Sequence, residues 1–164
     1  MTDQSVADGP AAAPAPRAQP MAMQGLVNRI ILGMLRAPGL SRLVGARLVT
    51  LYVTGRKSGR RYVIPVAYTR DKGDLLVGTP FGWARNLRAG EPVTIRLQGR
   101  LREADVRVFT DEAGVADLYA AMCRDNKQFA KFNKVGFDAA GNPDPDDLHL
   151  AWLAGARAFR LTPR

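Results

Sequence analysis

Cysteine is almost missing from this chain. A single Cys123 in 164 residues excludes an internal disulfide, a CxxC redox pair and a Cys-rich zinc site. Histidine is as scarce: the one His149 sits between Leu148 and Leu150 with no second His or Cys nearby, which reads as structural. No Ser/His/Asp or Cys/His constellation emerges, so a self-sufficient hydrolase is not expected. No apolar run reaches the roughly 18 to 20 residues of a bilayer-spanning helix. No basic segment followed by an apolar one opens the chain, so no export signal is read and the cytoplasm is the expected location. Acidic residues are the minority, 15 against 24 Lys plus Arg, for a net charge of +9. The expected partner is therefore anionic: nucleic acid, an acidic membrane surface, or a small molecule carrying phosphate or carboxylates. Aromatics make up only 7% and the cations cluster at a turn. Modules that bind nucleic acid interleave the two along an open sheet face, which ranks that partner last.

What the chain does contain is enough apolar material for a core, 46% of residues, at a length that suits one domain with a tail. Residues 1–22 are dominated by Ala and Pro and cannot offset their ordering entropy by burial, so they read as a disordered tail before a single domain over 23–164. Leu26, Val27, Ile30, Ile31, Met34 and Leu35 recur at helical spacing up to Pro38-Gly39. That helix either packs on the core or lies through residues 26–35 on an anionic membrane.

Short strands follow. Arg47–Thr54 and Arg61–Thr69 are rich in branched and aromatic residues and should form a hairpin, with Pro65 demoting part of the second run to an edge or bulge. An RDKGD turn leads to Leu75–Gly78. The kinked Thr79-Pro80-Phe81-Gly82 then precedes one or two helical turns over Trp83–Ala89. Val93–Gln98 and the alternating Leu101–Thr110 flank a Gly99-Arg100 turn. Thr110 or Asp111 should cap a helix running to about Phe132. Residues 136–147 read as loop, and Ala156–Leu161 as the last strand. The fold class is mainly β (α+β): a small split barrel of about six antiparallel strands, with one helix before them and one inserted before the last.

The densest chemical signal is Thr54-Gly55-Arg56-Lys57-Ser58-Gly59-Arg60-Arg61, four cations and a hydroxyl at a glycine-bracketed hairpin tip. Its backbone N–H groups can converge on an anion while Arg56, Lys57 and Arg60 supply charge. A solvated basic tip is the competing reading, and the residues alone leave both open. Thr50 stands five places before Gly55, so this is no Walker A loop. Trp83, after the Gly78–Gly82 kink, can wall a planar ligand, although a core Trp starting a short helix is the simpler reading. Asp138, Asp144, Asp146 and Asp147 meet no calcium-loop spacing, and no metal is expected. Cys123 reads as packing.

The run from Leu51 through Leu97, with TGRKSG followed by Arg and Pro, a strand-exit loop before W-x-x-N-L, and the terminal GARAFRLTPR, resembles the deazaflavin-dependent nitroreductase family of split-barrel flavin/deazaflavin oxidoreductases. The resemblance covers about 26–164. It implies an oxidoreductase using reduced coenzyme F-420, an 8-hydroxy-5-deazaflavin with a phosphate and polyglutamate tail, to pass a hydride to a quinone, nitro compound or activated alkene. Arg56, Lys57, Ser58 and Arg60 would hold the phosphate and glutamates. The backbone of Gly78, Thr79, Pro80 and Phe81 would border the ring, Trp83 and Asn86 would complete the pocket, and Pro65 would belong to the cofactor-binding set. FMN is the alternative cofactor, and a homodimer through sheet faces is left open. Where the family carries tyrosines near its substrate, this chain has Ala67, Phe129 and Phe132, leaving Tyr68 and Tyr119 as the candidate hydroxyls.

Overall fold

The computed structural model describes residues 47–164. The tail over 1–22 and the helix over 26–35 lie outside the described residues. Seven strands, all paired antiparallel, form one sheet in the order β2-β1-β5-β6-β7-β4-β3. They are β1 (Leu48–Thr54), β2 (Arg61–Ala67), β3 (Thr69–Asp71), β4 (Asp74–Thr79), β5 (Val93–Leu97), β6 (Arg100–Phe109) and β7 (Arg157–Pro163). Between β4 and β5 stands a 3₁₀ turn, Gly82–Asn86. Between β6 and β7 stand α1 (Glu112–Asp125), α2 (Lys127–Phe132) and α3 (Pro145–Leu153).

Strand alternation builds the interior. Val49, Leu51 and Val53 of β1, Leu75 and Val77 of β4, Val93, Ile95 and Leu97 of β5, Ala104 and Val106 of β6, and Phe159 and Leu161 of β7 form one buried cluster. Each lies two residues from the next along its strand, so one face of every strand turns inward. Burying side chains of this size stabilises by about 1.5–3 kcal/mol each. The opposite face of β4 and β7, with Leu76 and Ala158, is covered by the helices through Val115, Leu118, Tyr119, Met122 and Leu148. The result is a curled half-barrel with helices on one flank.

Arg61–Thr69, expected as one strand, is two. β2 and β3 are consecutive in sequence yet occupy opposite edges of the sheet. Tyr68, buried and donating its N–H to the Arg47 carbonyl at 2.9 Å, is the residue between them. A one-residue link between two edges forces the sheet to curl, and the barrel is split where β2 and β3 leave each other unpaired. Pro65 sits on the edge strand β2 opposite Thr50, where a missing N–H costs no ladder bond.

Three helices replace the single expected insertion. The helix expected to run on to Phe132 stops at Asp125, because Asn126 is extended (φ −132°, ψ 99°) and its Oδ1 accepts from the N–H groups of Gln128 and Phe129. That cap starts α2. The stretch 136–147, expected as loop, ends in a helix start: Asp144 Oδ1 accepts from Asp146 and Asp147 with Pro145 at the first turn. An Asp cap followed by Pro suits a helix N-terminus. Among the described residues no helix is long and apolar enough to cross a membrane.

Candidate active site

One end of the half-barrel collects the sequence signals. β1 runs out at Thr54 opposite Arg61, β4 runs out at Thr79, and β7 begins at Arg157 opposite Thr79. The β1–β2 loop and the segment following β4 therefore share that end.

The loop is closed on itself. Gly55 N–H donates to the Arg60 carbonyl at 2.8 Å and Gly59 N–H to the Gly55 carbonyl at 2.9 Å. Gly59 holds φ +64°, a conformation that costs glycine nothing. Gly55 is needed for space: a Cβ there would meet Ser58 Oγ at 2.7 Å and Tyr62 Cε2 at 2.9 Å. Ser58 Oγ accepts from Arg60 N–H at 3.3 Å and lies 3.4 Å from the Tyr62 hydroxyl. The loop is also fastened to the 3₁₀ turn. Arg56 N–H donates to Asn86 Oδ1 at 3.1 Å, and Arg56 Nη1 to the Arg85 carbonyl at 3.3 Å. TGRKSG and WxxN, about thirty residues apart, thus meet in one unit.

These bonds redistribute the expected roles. The N–H groups of Gly55, Arg56, Gly59 and Arg60 are already committed, so charge falls to side chains more than to converging amides. Lys57 and Arg60 are exposed and form no ion pair among the described residues. Asn86 spends its Oδ1 on the loop, which makes it a residue that fixes the loop's position. Ser58 shapes the turn from within.

The strand exit is built tightly. A Cβ on Gly78 would stand 2.8 Å from Met122 Cε, Phe129 Cζ and Tyr119 Cε2 at once, so glycine lets α1 and α2 seat on β4. Thr79 is buried, and its Oγ1 accepts from Phe81 N–H at 3.1 Å, turning the chain out of the strand. Pro80 is exposed, and the half-buried Phe81 ring lies 6.1 Å from Phe132. Trp83 belongs to the barrel core at 8% exposure, the simpler of its two readings. Pro65 is not brought to this group: it lies four residues along β2 from Arg61, about 13 Å by strand rise, with the parity opposite to that of core residue Ile64.

The two candidate hydroxyls part from the site differently. Tyr68 lies seven residues beyond Arg61, next to Arg47, at the far end of the barrel. Tyr119 is wholly buried behind Gly78, edge-on to Phe129 at 5.1 Å, and its hydroxyl has no hydrogen-bonding partner among the described residues. Burial, with Cys123 adding to it, pushes the phenol pKa well up. The Cys123 thiol is pushed up to about 11, chiefly by burial and against the pull of Lys127 and Arg124, so it is inert packing at neutral pH. His149 Nδ1 lies 2.6 Å from Glu112 Oε1, tying α3 to α1. Asp147 accepts from Gly136 N–H and Asp138 from Asn142 N–H. Among the described residues no group of His, Cys, Asp and Glu could hold a metal ion.

Arg157, which the sequence reading did not single out, pairs with Thr79 at this end through the β4–β7 register.

The sequence model described as F420H(2)-dependent quinone reductase matches residues 34–135. No curated protein matches. Among solved structures, the chain is similar to a putative 5-nitroimidazole antibiotic resistance protein from Bacteroides thetaiotaomicron, at 13% identity over 75% of this chain and 76% of that one, with a TM-score of 0.46. It is similar to the heme storage protein HutZ from Vibrio cholerae at 16% identity over 75% and 87%, TM-score 0.47. It is also similar to the conserved hypothetical protein Rv2991 from Mycobacterium tuberculosis at 12% identity over 78% and 82%, TM-score 0.44.

Proposed function

From the premise that this chain belongs to the F420H(2)-dependent quinone reductase family, we propose that its β1–β2 loop grips the anionic tail of reduced coenzyme F-420 and that a quinone receives the hydride. Membership makes the chain an oxidoreductase with a small-molecule acceptor. One observation carries the assignment of residues: a glycine-closed loop, locked to the 3₁₀ turn through Arg56 and Asn86, presents Lys57 and Arg60 with no ion-paired carboxylate among the described residues. The residues fit the coenzyme, since a tail of phosphate and carboxylates supplies the missing anions, and Gly55 sits where a Cβ would distort the cradle.

When bound, the deazaflavin supplies the hydride. The chain supplies placement. Lys57 and Arg60 draw the tail in by charge, and Arg56 transmits the loop's position to the turn that follows the strand exit. Thr79, Pro80 and Phe81 edge the space beside the loop, with Thr79 holding the backbone in its turn. Fixing donor and acceptor in one orientation is where the rate gain arises. Tyr119 packs behind Gly78 and Tyr68 lies at the other end of the barrel, so neither hydroxyl is given a role in this reading.

The test is turnover. Purified protein mixed with reduced F-420 and menadione should reoxidise the coenzyme with saturation in both, and the K57A/R60A variant should need far more coenzyme. Protein that binds FMN instead, and shows no F-420 reoxidation above background, would overturn the assignment. Nitro compounds and activated alkenes belong in the same assay, and reduction slower than that of quinones is the expected order.

A further inference from the structure

Tyr62 stands one rung inside the β1–β2 loop, paired with the core residue Val53 and two places from core residue Ile64. That parity turns its side chain to the interior face of the half-barrel. Ile64 is 8% exposed and Tyr62 40%, so the phenol stands where the interior opens to solvent at the loop end. Its two neighbours take the opposite face. Val63 pairs with Tyr52 there, and the Arg61 guanidinium lies 5.8 Å from the centre of the Tyr52 ring. Of the two consecutive arginines, only Arg60 is left to the loop.

The Tyr62 ring packs against that loop. A Cβ on Gly55 would meet its Cε2 at 2.9 Å, and its hydroxyl lies 3.4 Å from Ser58 Oγ. Ser58 Oγ already accepts from Arg60 N–H at 3.3 Å. The serine's own hydrogen can then pass to the Tyr62 oxygen, since hydroxyl hydrogens rotate to suit their partners. In that arrangement the phenol keeps its hydrogen for an acceptor outside the loop. An anion arriving at the loop selects this arrangement, because a hydrogen bond to a charged acceptor is stronger than one between neutral groups. The N–H groups of Gly55, Arg56, Gly59 and Arg60 are spent on closing and fastening the loop. Tyr62 therefore adds an uncharged donor beside Lys57 and Arg60.

We propose that Tyr62 is a coenzyme-binding residue whose hydroxyl donates to a phosphate oxygen of F-420. The inference rests on the functional reading above. In the coenzyme the phosphate lies between the ring and the glutamates. In the protein Tyr62 lies between the barrel interior and the exposed Lys57 and Arg60, so the two orders correspond. The loop cations attract the tail by charge, which sets no single geometry. The phenol, held by Ser58 and by its packing on Gly55, fixes one point of the tail through a directional bond.

Titration of two deazaflavins decides it, one being F-420 and the other the same chromophore ending at its ribityl alcohol, without phosphate or glutamates. Y62F keeps the ring that packs on Gly55 and removes only the hydroxyl, so its melting temperature should match wild type. It should raise the F-420 Kd about tenfold and leave the Kd of the phosphate-free compound within about twofold of wild type. The salt dependence of F-420 binding should keep its wild-type slope in Y62F, since no charge is removed. The phosphorus NMR shift of bound F-420 should differ between wild type and Y62F. A Y62F variant that binds F-420 as wild type does, with an unchanged phosphorus shift, overturns the inference and leaves the functional reading standing. Equal weakening of both deazaflavins also overturns it, because Tyr62 would then act on the ring. Wild type that binds no F-420 overturns the functional reading and this inference with it.

Discussion

Replacing Lys57 and Arg60 by Ala tests the charge of the loop without touching its frame. Both side chains are exposed and outside any ion pair among the described residues, while the bonds that close the loop are made by the backbone and by Ser58. Unit charges at 4 Å attract by about 1 kcal/mol in water and about 4 kcal/mol at the effective permittivity near a protein surface. Exposure favours the lower figure, since exposed pairs yield about 1 kcal/mol at most. Two lost contacts then cost about 2 kcal/mol, roughly a thirtyfold rise in Kd. Fluorescence titration of F-420 reads this directly. Raising ionic strength from about 0.01 to 1 M shortens the screening length from about 30 to 3 Å, so wild-type affinity should fall with salt, and the variant's should fall less steeply. The melting temperature should not move. A double variant within twofold of wild type at low salt, or salt slopes that run parallel, would refute the reasoning.

Further outcomes follow from packing and burial. Gly78→Ala places a methyl 2.8 Å from a Met122 terminus and from two ring atoms. The rings cannot all yield, so the variant should lose about 1–3 kcal/mol, visible in urea unfolding as a lower midpoint with unchanged slope. Tyr119→Phe removes a buried hydroxyl without a partner among the described residues, so it should leave stability equal or up to about 1 kcal/mol higher and leave quinone turnover intact; a large loss of turnover would restore Tyr119 as a proton donor. Cys123 and Tyr119 both titrate higher in the fold than in the unfolded chain. The native state then holds more protons above about pH 9, so stability is level below that and falls as pH rises toward about 11. The double variant C123A/Y119F should flatten that decline in thermal melts taken across the range.

Much of the sheet was readable from local pattern. The alternation in Leu48–Thr54, Val93–Leu97 and Arg100–Phe109 is one face buried against one face wet, and periodicity records that. The TGRKSG tip could be located because glycines and cations cluster within eight residues. Tyr68 was hidden because a strand that changes sheet edge keeps its β-prone composition. Asn126 lay inside a run that read as one helix to Phe132, and Asp144-Pro145 inside a polar stretch that read as loop, so neither cap was seen. The bond from Arg56 to Asn86 and the pairing of Arg157 with Thr79 are non-local. No window of sequence contains both partners, so tertiary register alone exposes them.

The most direct measurement is the crystal structure of this chain with F-420 bound. The account predicts phosphate and glutamate oxygens on Lys57 and Arg60, with the tricyclic ring edged by Thr79–Phe81. Coenzyme density lodged between α1 and α3, or on the convex sheet face beside Pro65, with Lys57 and Arg60 free, would contradict it.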